Sequence, residues 1–306
     1  MSNLKDNKPI TTGDRVHAAI ETQEISNRGT YTLPGVPGEE PKTIQIPGKE
    51  RLREVEYIPA NAGGPVPCPL QPGDGPTYIL ANMDSFQAAQ YFFDNPSAVA
   101  VQSFASPSPV GGGFLTGARA QEASLCREST LFESISTRTA EDAFYRRNAQ
   151  IEGAFVPDDM LYSPYVVVFR DNTLELLPEP FVTTVFTVPT PNCSTSGRAK
   201  NAPADEIRSH MKARLETMFR TAHERGIHAL VLGAWGCGAY RINPRMISEL
   251  YRELLVDDGW GACFDTIVFA IRGNSNDTNF RTFQSTLESV LGDNVYTDTV
   301  PPAYVR

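Results

Sequence analysis

Three consecutive glycines, Gly111, Gly112 and Gly113, are separated by seven residues from the pair Gln121-Glu122. Without a Cβ, the chain can take φ > 0 there and bring backbone N–H groups against a ligand. Gln121 and Glu122 then open a helix, whose N-terminus carries partial positive charge and unpaired donors. Together these features suit a diphosphate and the sugar beside it. Taken alone, three glycines more often serve as a plain turn from strand to helix. A second loop, Gly233 to Tyr240, repeats the theme with Gly236 and Gly238, and Tyr240 could stack on a ribose or close a pocket. It is neither a Walker A loop nor a G-x-G-x-x-G fingerprint. Cys237 lies between these glycines with no histidine nearby in sequence, so it reads as structural rather than nucleophilic.

Both loops require strands to carry them. Short apolar runs predict strands at Tyr78–Ala81, Val99–Ala105, Tyr165–Phe169, Val182–Val188, His228–Trp235 and Phe264–Ile271. Helices are predicted at Arg15–Thr22 with Asp14 as N-cap, from Asp84 to Phe93, and over Gln121–Ser136, Asp205–Arg225, Pro244–Leu255 and Asn276–Leu291. In the longest of these, Ile207, Met211, Leu215, Met218 and Ala222 follow helical spacing and Gly226 stops it. The alternation implies an α/β fold whose mixed, mainly parallel sheet is covered on both faces. Ligands of such sheets bind beyond the carboxyl ends of the strands, where both glycine-rich loops fall. Residues 26–76, rich in Pro and Gly, read as an irregular arm with at most short strands, either wrapping the domain or loose on its surface.

Composition narrows the function. Of 306 residues, 27 are basic and 36 acidic, a net charge of −9. That argues against a protein coating nucleic acid, but not against a nucleotide-sized anion held by backbone N–H groups. The five cysteines (Cys68, Cys126, Cys193, Cys237, Cys263) are odd in number and widely spaced, as expected of reduced thiols in an intracellular protein, cytoplasmic or nuclear. No signal peptide, membrane span or metal-ligand pattern is expected. His223 and His228 miss the H-E-x-x-H spacing by one residue, and Gly226 ends the helix between them.

The two loops together resemble the macrodomain fold, and within it the microbial-type poly(ADP-ribose) glycohydrolase family. The family's G-G-G, six to eight residues, then Q-E-E is similar to Gly111-Gly112-Gly113, seven residues, Gln121-Glu122. Ser124-Leu125-Cys126-Arg127, Ser129-Thr130-Leu131 and Gly233-Ala234-Trp235-Gly236-Cys237-Gly238 extend the similarity. The resemblance implies a three-layer α/β/α domain spanning 1–306. It further implies release of ADP-ribose from poly(ADP-ribose) or ADP-ribosylated substrates, with no cofactor. ADP-ribosylated protein and nucleic acid both stay open as partners. Ser103, Gly111, Gly112, Gly113, Gln121, Gly236, Cys237, Gly238, Ala239 and Tyr240 are the implied ligand-binding positions, and Glu122 and Ala123 the catalytic pair.

Two positions depart from the family. Ser103 stands where the family usually has an Asn that helps hold the distal ribose. Ala123 stands where the family has the Glu that acts as general acid, Glu122 being expected to position the ribose. Breaking a ribose–ribose bond passes through an oxocarbenium-like state and needs a proton for the leaving oxygen. Losing such an acid costs about 10²–10⁴ in rate. Ala123 is therefore either a Glu→Ala change that disables an active hydrolase, the more economical reading, or a native residue of a non-catalytic ADP-ribose reader. Only the first gives turnover once Ala123→Glu is made. Glu122 is about 100° away around the helix and is not expected to replace the acid. Arg241 could reach a phosphate, although a surface role is the simpler one. Asp84 could accept a hydrogen bond from adenine in addition to capping, and Phe280 or Tyr304 could cover the base.

Overall fold

A computed structural model describes residues 9–35, 39–60, 75–273 and 276–297. Its strands are β1 (Thr30–Leu33), β2 (Lys42–Gln45), β3 (Glu56–Ile58), β4 (Thr77–Ala81), β5 (Val99–Ala105), β6 (Met160–Arg170), β7 (Leu176–Pro189), β8 (Ala229–Leu232), β9 (Thr266–Ala270) and β10 (Val295–Tyr296). All but β1 and β2 form one eight-stranded sheet in the order β10-β4-β9-β8-β5-β7-β6-β3. Pairing is parallel from β10 through to β7. Only β6 against β7 and β3 against β6 are antiparallel. The sheet is thus mixed and mainly parallel, as the alternation of elements implies.

The strand residues alternate between two apolar layers, as a period of two requires. Leu80, Ala100, Leu230, Leu232, Ile267 and Phe269 face one cluster. There they meet α7 (Ala204–Glu224), α8 (Pro244–Arg252) and α9 (Thr278–Leu291). Met211, Leu215 and Met218 of α7 are buried in it, each such burial contributing about 1.5–3 kcal/mol. Ile79, Val99, Val101, Val231 and Val268 face the opposite cluster. That side is covered by α1 (Thr12–Arg28), α2 (Ser85–Phe92), α3 (Gln121–Glu128), α4 (Leu131–Ile135) and a helical stretch of α5 (Arg138–Ala140), a π-turn and α6 (Arg146–Ala149). This is the expected α/β/α layering.

Several boundaries differ from the sequence reading. Helix α1 starts earlier, with Thr11 as its N-cap, and Asp14 is the third residue of a capping box. The helix expected over Gln121–Ser136 breaks at Ser129-Thr130. Thr130 N–H donates to the Val167 carbonyl at 3.0 Å, and Thr130 Oγ1 accepts from Val167 N–H at 3.0 Å. Pairing with β6 replaces the helical bonds at that point. Helix α8 stops at Arg252 and gives way to a π-turn. The arm is partly ordered. Its β1–β2 hairpin packs Tyr31, Ile44 and Ile46 on Val167 and Phe169, and Tyr31 Oη donates to the Leu177 carbonyl at 2.6 Å. Its β3 caps the sheet edge. Residues 61–74 of the arm lie outside the described residues, as does Cys68. No described helix is long and apolar enough to cross a membrane.

Candidate active site

The loops leaving the carboxyl ends of β4, β5, β8 and β9 surround a cleft of ≈ 660 Å³. That is ample for a dinucleotide-sized ligand. From β4 come Met83, Asp84 and Ser85; from β5 and α3, Gly112, Gly113, Gln121, Glu122, Ser124, Leu125 and Glu128. Loop β8–α8 adds Gly236, Gly238, Ala239 and Tyr240, and β9–α9 adds Ile271, Arg272 and Asn279. An adjoining chamber of ≈ 470 Å³ shares Gly112, Gly113 and Tyr240 with the cleft and is otherwise lined by Ser106, Pro109, Val110, Leu115 and Thr116.

Side-chain hydrogen bonds hold the first loop. Gln121 Oε1 accepts from Phe104 N–H at 2.9 Å, and Nε2 donates to the Gln102 carbonyl (2.9 Å) and Ser85 Oγ (3.1 Å). Arg127 Nη1 donates to the Ala118 carbonyl at 2.8 Å, and Arg15 Nε to the Gly117 carbonyl at 2.7 Å. Gly112 sits at φ +58°, and a Cβ there would lie 2.9 Å from Glu122 Oε2. The second loop is anchored by the buried Trp235, whose Nε1 donates to Thr190 Oγ1 at 2.7 Å. Gly236 (φ +79°) fits against Ile242 and Thr190, where a Cβ would come within 2.5 Å of Ile242 Cγ1. Beyond it, the N–H groups of Gly236, Gly238, Ala239 and Tyr240 meet no acceptor among the described residues. The N-terminus of α3 has no side-chain cap. Such converging free donors make an anion site.

Charge is arranged unevenly around the cleft. Arg119 and Arg272 stand exposed on its rim. Glu122 is buried, with Oε2 accepting from Ser106 N–H at 2.8 Å and Oε1 without a partner. Burial, only partly offset by that hydrogen bond, pushes its carboxyl up to about 8. At the far end Asp84 and Glu128 are both raised by burial, Glu128 also by the neighbouring Asp84. Asp84 caps α2 through Gln87 N–H (2.8 Å) and accepts from Asn172 Nδ2. No group of three or more His, Cys, Asp or Glu among the described residues could hold a metal.

Eight expected positions thus line the cleft: Gly112, Gly113, Gln121, Glu122, Gly236, Gly238, Ala239 and Tyr240. Four do not. Ala123 is fully buried and packs with the α1–α4 layer, because the helical rotation that brings Glu122 to the cleft turns the next residue inward. Ser103 is fully buried within β5, its Oγ unpartnered. Gly111 packs against Phe132 and Cys126. Cys237 turns back to the Trp235 carbonyl, and burial pushes its thiol up to about 12. Phe280 is a core residue, and Tyr304 lies outside the described residues. Ser106, Arg119, Glu128, Arg272 and Asn279 were not singled out in the sequence. The available signal for Glu128 was spacing: Gln121, Leu125 and Glu128 fall at i, i+4 and i+7, one face of α3.

Fold and site define an α/β/α macrodomain-like protein with a nucleotide-sized cleft past its parallel strands. The family model for the microbial-type PARG catalytic domain matches residues 8–171, and the chain belongs to this family of poly(ADP-ribose) glycohydrolases. Among solved structures, poly(ADP-ribose) glycohydrolase from Thermomonospora curvata is 29% identical with a TM-score of 0.75, over 90% of this chain and 99% of that one. The same enzyme bound to the inhibitor ADP-HPD is 30% identical (TM-score 0.73, 89% and 99% covered). The Deinococcus radiodurans enzyme in complex with ADP-ribose is also 30% identical (TM-score 0.69, 81% and 100% covered). No curated protein matches the chain.

Proposed function

We propose that the cleft binds ADP-ribose and that the chain releases it from poly(ADP-ribose) or ADP-ribosylated substrates. One observation carries this reading: Gly112-Gly113, Glu122 and the unengaged N–H groups of residues 236–240 converge on one cleft beyond the strand ends. The diphosphate would sit on those N–H groups and the N-terminus of α3, with Arg119 and Arg272 compensating charge from the rim. The terminal ribose would lie against Gly112 and Glu122. The acid pair Asp84 and Glu128 would face the exocyclic amine of adenine at the other end. Residues 1–306 form one catalytic domain in this reading, and free cysteines suit a cytoplasmic or nuclear setting. A non-catalytic reader is the second reading, favoured by the missing carboxylate at Ala123.

The test is calorimetric titration of the chain with ADP-ribose, with AMP and ribose 5-phosphate in parallel. Saturable heat with ADP-ribose, and tighter binding than either half, is the expected result. No heat and no thermal shift would remove the ligand from the account altogether and leave a scaffold domain.

A further inference from the structure

With adenine beside Asp84 and Glu128 and the terminal ribose beside Gly112, the line of an ADP-ribose molecule runs on toward the adjoining chamber. Gly112, Gly113 and Tyr240 wall both spaces. The chamber, at ≈ 470 Å³, lies within the range of small-ligand sites, about 300–1,000 Å³.

Its chemistry differs from that of the cleft. No Lys, Arg, Asp or Glu among the described residues lines it. The hydroxyls of Ser106 and Thr116 donate to the Ser108 and Gly113 carbonyls at 2.6 and 3.1 Å. Pro109, Val110, Leu115 and the Tyr240 ring supply apolar surface. Leu115, 47% exposed, is one of the few large apolar side chains left in the open among the described residues. It is held from behind. Phe114 packs on Phe132 with ring centroids 5.0 Å apart, and Gly117 (φ +75°) fits against α1, where a Cβ would come within 2.8 Å of the Thr12 carbonyl oxygen. The Arg15 hydrogen bond to the Gly117 carbonyl fastens the same turn. An apolar side chain already fixed beside a ligand cleft has little order left to lose on binding.

In poly(ADP-ribose), the anomeric carbon of one unit is joined to the 2′-hydroxyl oxygen of the neighbouring unit's adenosine. The part of the leaving unit nearest the bond is therefore a nucleoside. It is uncharged, and its base has a π-face that stacks on aromatic and apolar surfaces. A diphosphate in the chamber would find no cation, whereas a nucleoside needs none.

We propose that the chamber is a leaving-unit subsite. It receives the adenosine of the neighbouring polymer unit, with Leu115 and Tyr240 against the base and the linking bond passing over Gly112-Gly113. The proposal rests on the ADP-ribose reading of the cleft and adds a substrate class to it, the polymer rather than a modified peptide. Pro109, Val110 and Leu115 line the chamber and not the cleft, so the two spaces can be probed separately.

The experiment compares the parent with Leu115→Asp and Leu115→Ala. Calorimetry measures the affinity of ADP-ribose, of its dimer joined by the ribose–ribose bond, and of a peptide ADP-ribosylated on serine. For a ligand that the parent cleaves, kcat/KM for ADP-ribose release takes the place of affinity. The dimer should lose about tenfold or more with Leu115→Asp and about threefold with Leu115→Ala, while ADP-ribose affinity stays within about twofold in both. The retained ADP-ribose affinity also shows that the variants fold. A dimer indifferent to both substitutions would overturn the proposal. So would a loss of ADP-ribose affinity equal to that of the dimer. A modified peptide that loses as much as the dimer would overturn the assignment to adenosine and make the chamber a dock for ADP-ribosylated protein. Absence of ADP-ribose binding by the parent would instead strike the reading on which the subsite rests.

Discussion

Gln121 is tied to Phe104: its side-chain carbonyl accepts the Phe104 N–H at 2.9 Å at the point where β5 ends. The amide nitrogen is used as well, on Gln102 and Ser85. The residue therefore fixes the start of α3 against the strand that carries the glycine loop, and this sets where Glu122 can point. Gln121→Leu leaves the Phe104 N–H and the Gln102 carbonyl without a partner. It should cost about 1–3 kcal/mol, read as a lower melting temperature, and weaken ADP-ribose binding in the same preparation.

The glycines of the two loops should separate by mechanism. Gly236→Ala meets both a positive φ and atoms at 2.5 and 2.8 Å, so the loop must shift and both stability and binding should fall. At Gly238 no atom lies within 4 Å of the added Cβ. Gly238→Ala should melt like the parent, and any loss of ADP-ribose affinity then reports close approach of ligand to backbone. Thermal melts and calorimetry on the two variants check both halves of the statement.

Glu122 links stability to pH. Its carboxyl is raised from 4.5 to about 8 in the folded chain. Between those values the folded state holds a proton that the unfolded state has lost. Its contribution is fully present below about pH 4.5 and falls by about 1.4 kcal/mol per pH unit until the folded group ionises near pH 8. Glu122→Gln cannot ionise. Denaturant midpoints of parent and variant should therefore diverge in the variant's favour as pH rises from 5 to 8, whatever other groups titrate in both. A constant difference across that range would contradict the protonated state assigned to Glu122.

Cys237 should be inert despite its place between glycines. Burial pushes its thiol to about 12, so little thiolate exists at neutral pH. Alkylation followed by peptide mapping should label it only after denaturation, and Cys237→Ser should keep turnover.

Much of this fold was legible as pattern. Strands β4, β5, β8 and β9 are short apolar runs, and α7 shows its helical spacing openly. The glycine loops could be placed because they follow those strands directly. What escaped depends on contacts distant in sequence. The break at Ser129-Thr130 is made by Val167, and the addition of β3 to the sheet edge is made by β6. Arg272 and Asn279 join the cleft because strand order sets β9 beside β4 and β8. The rotation of α3 was legible in angle but not in phase. A difference of about 100° separates Glu122 from Ala123, yet only packing against the α1–α4 layer decides which of them faces the cleft.

The most direct test of the account is the release of ADP-ribose from poly(ADP-ribose) by the unmodified chain between pH 6 and 10. Release of ADP-ribose within that range is the expected result, since the cleft and both glycine-rich loops are those of the hydrolase family. Tight binding of ADP-ribose with no release at any pH would contradict the account and leave a reader in place of a hydrolase.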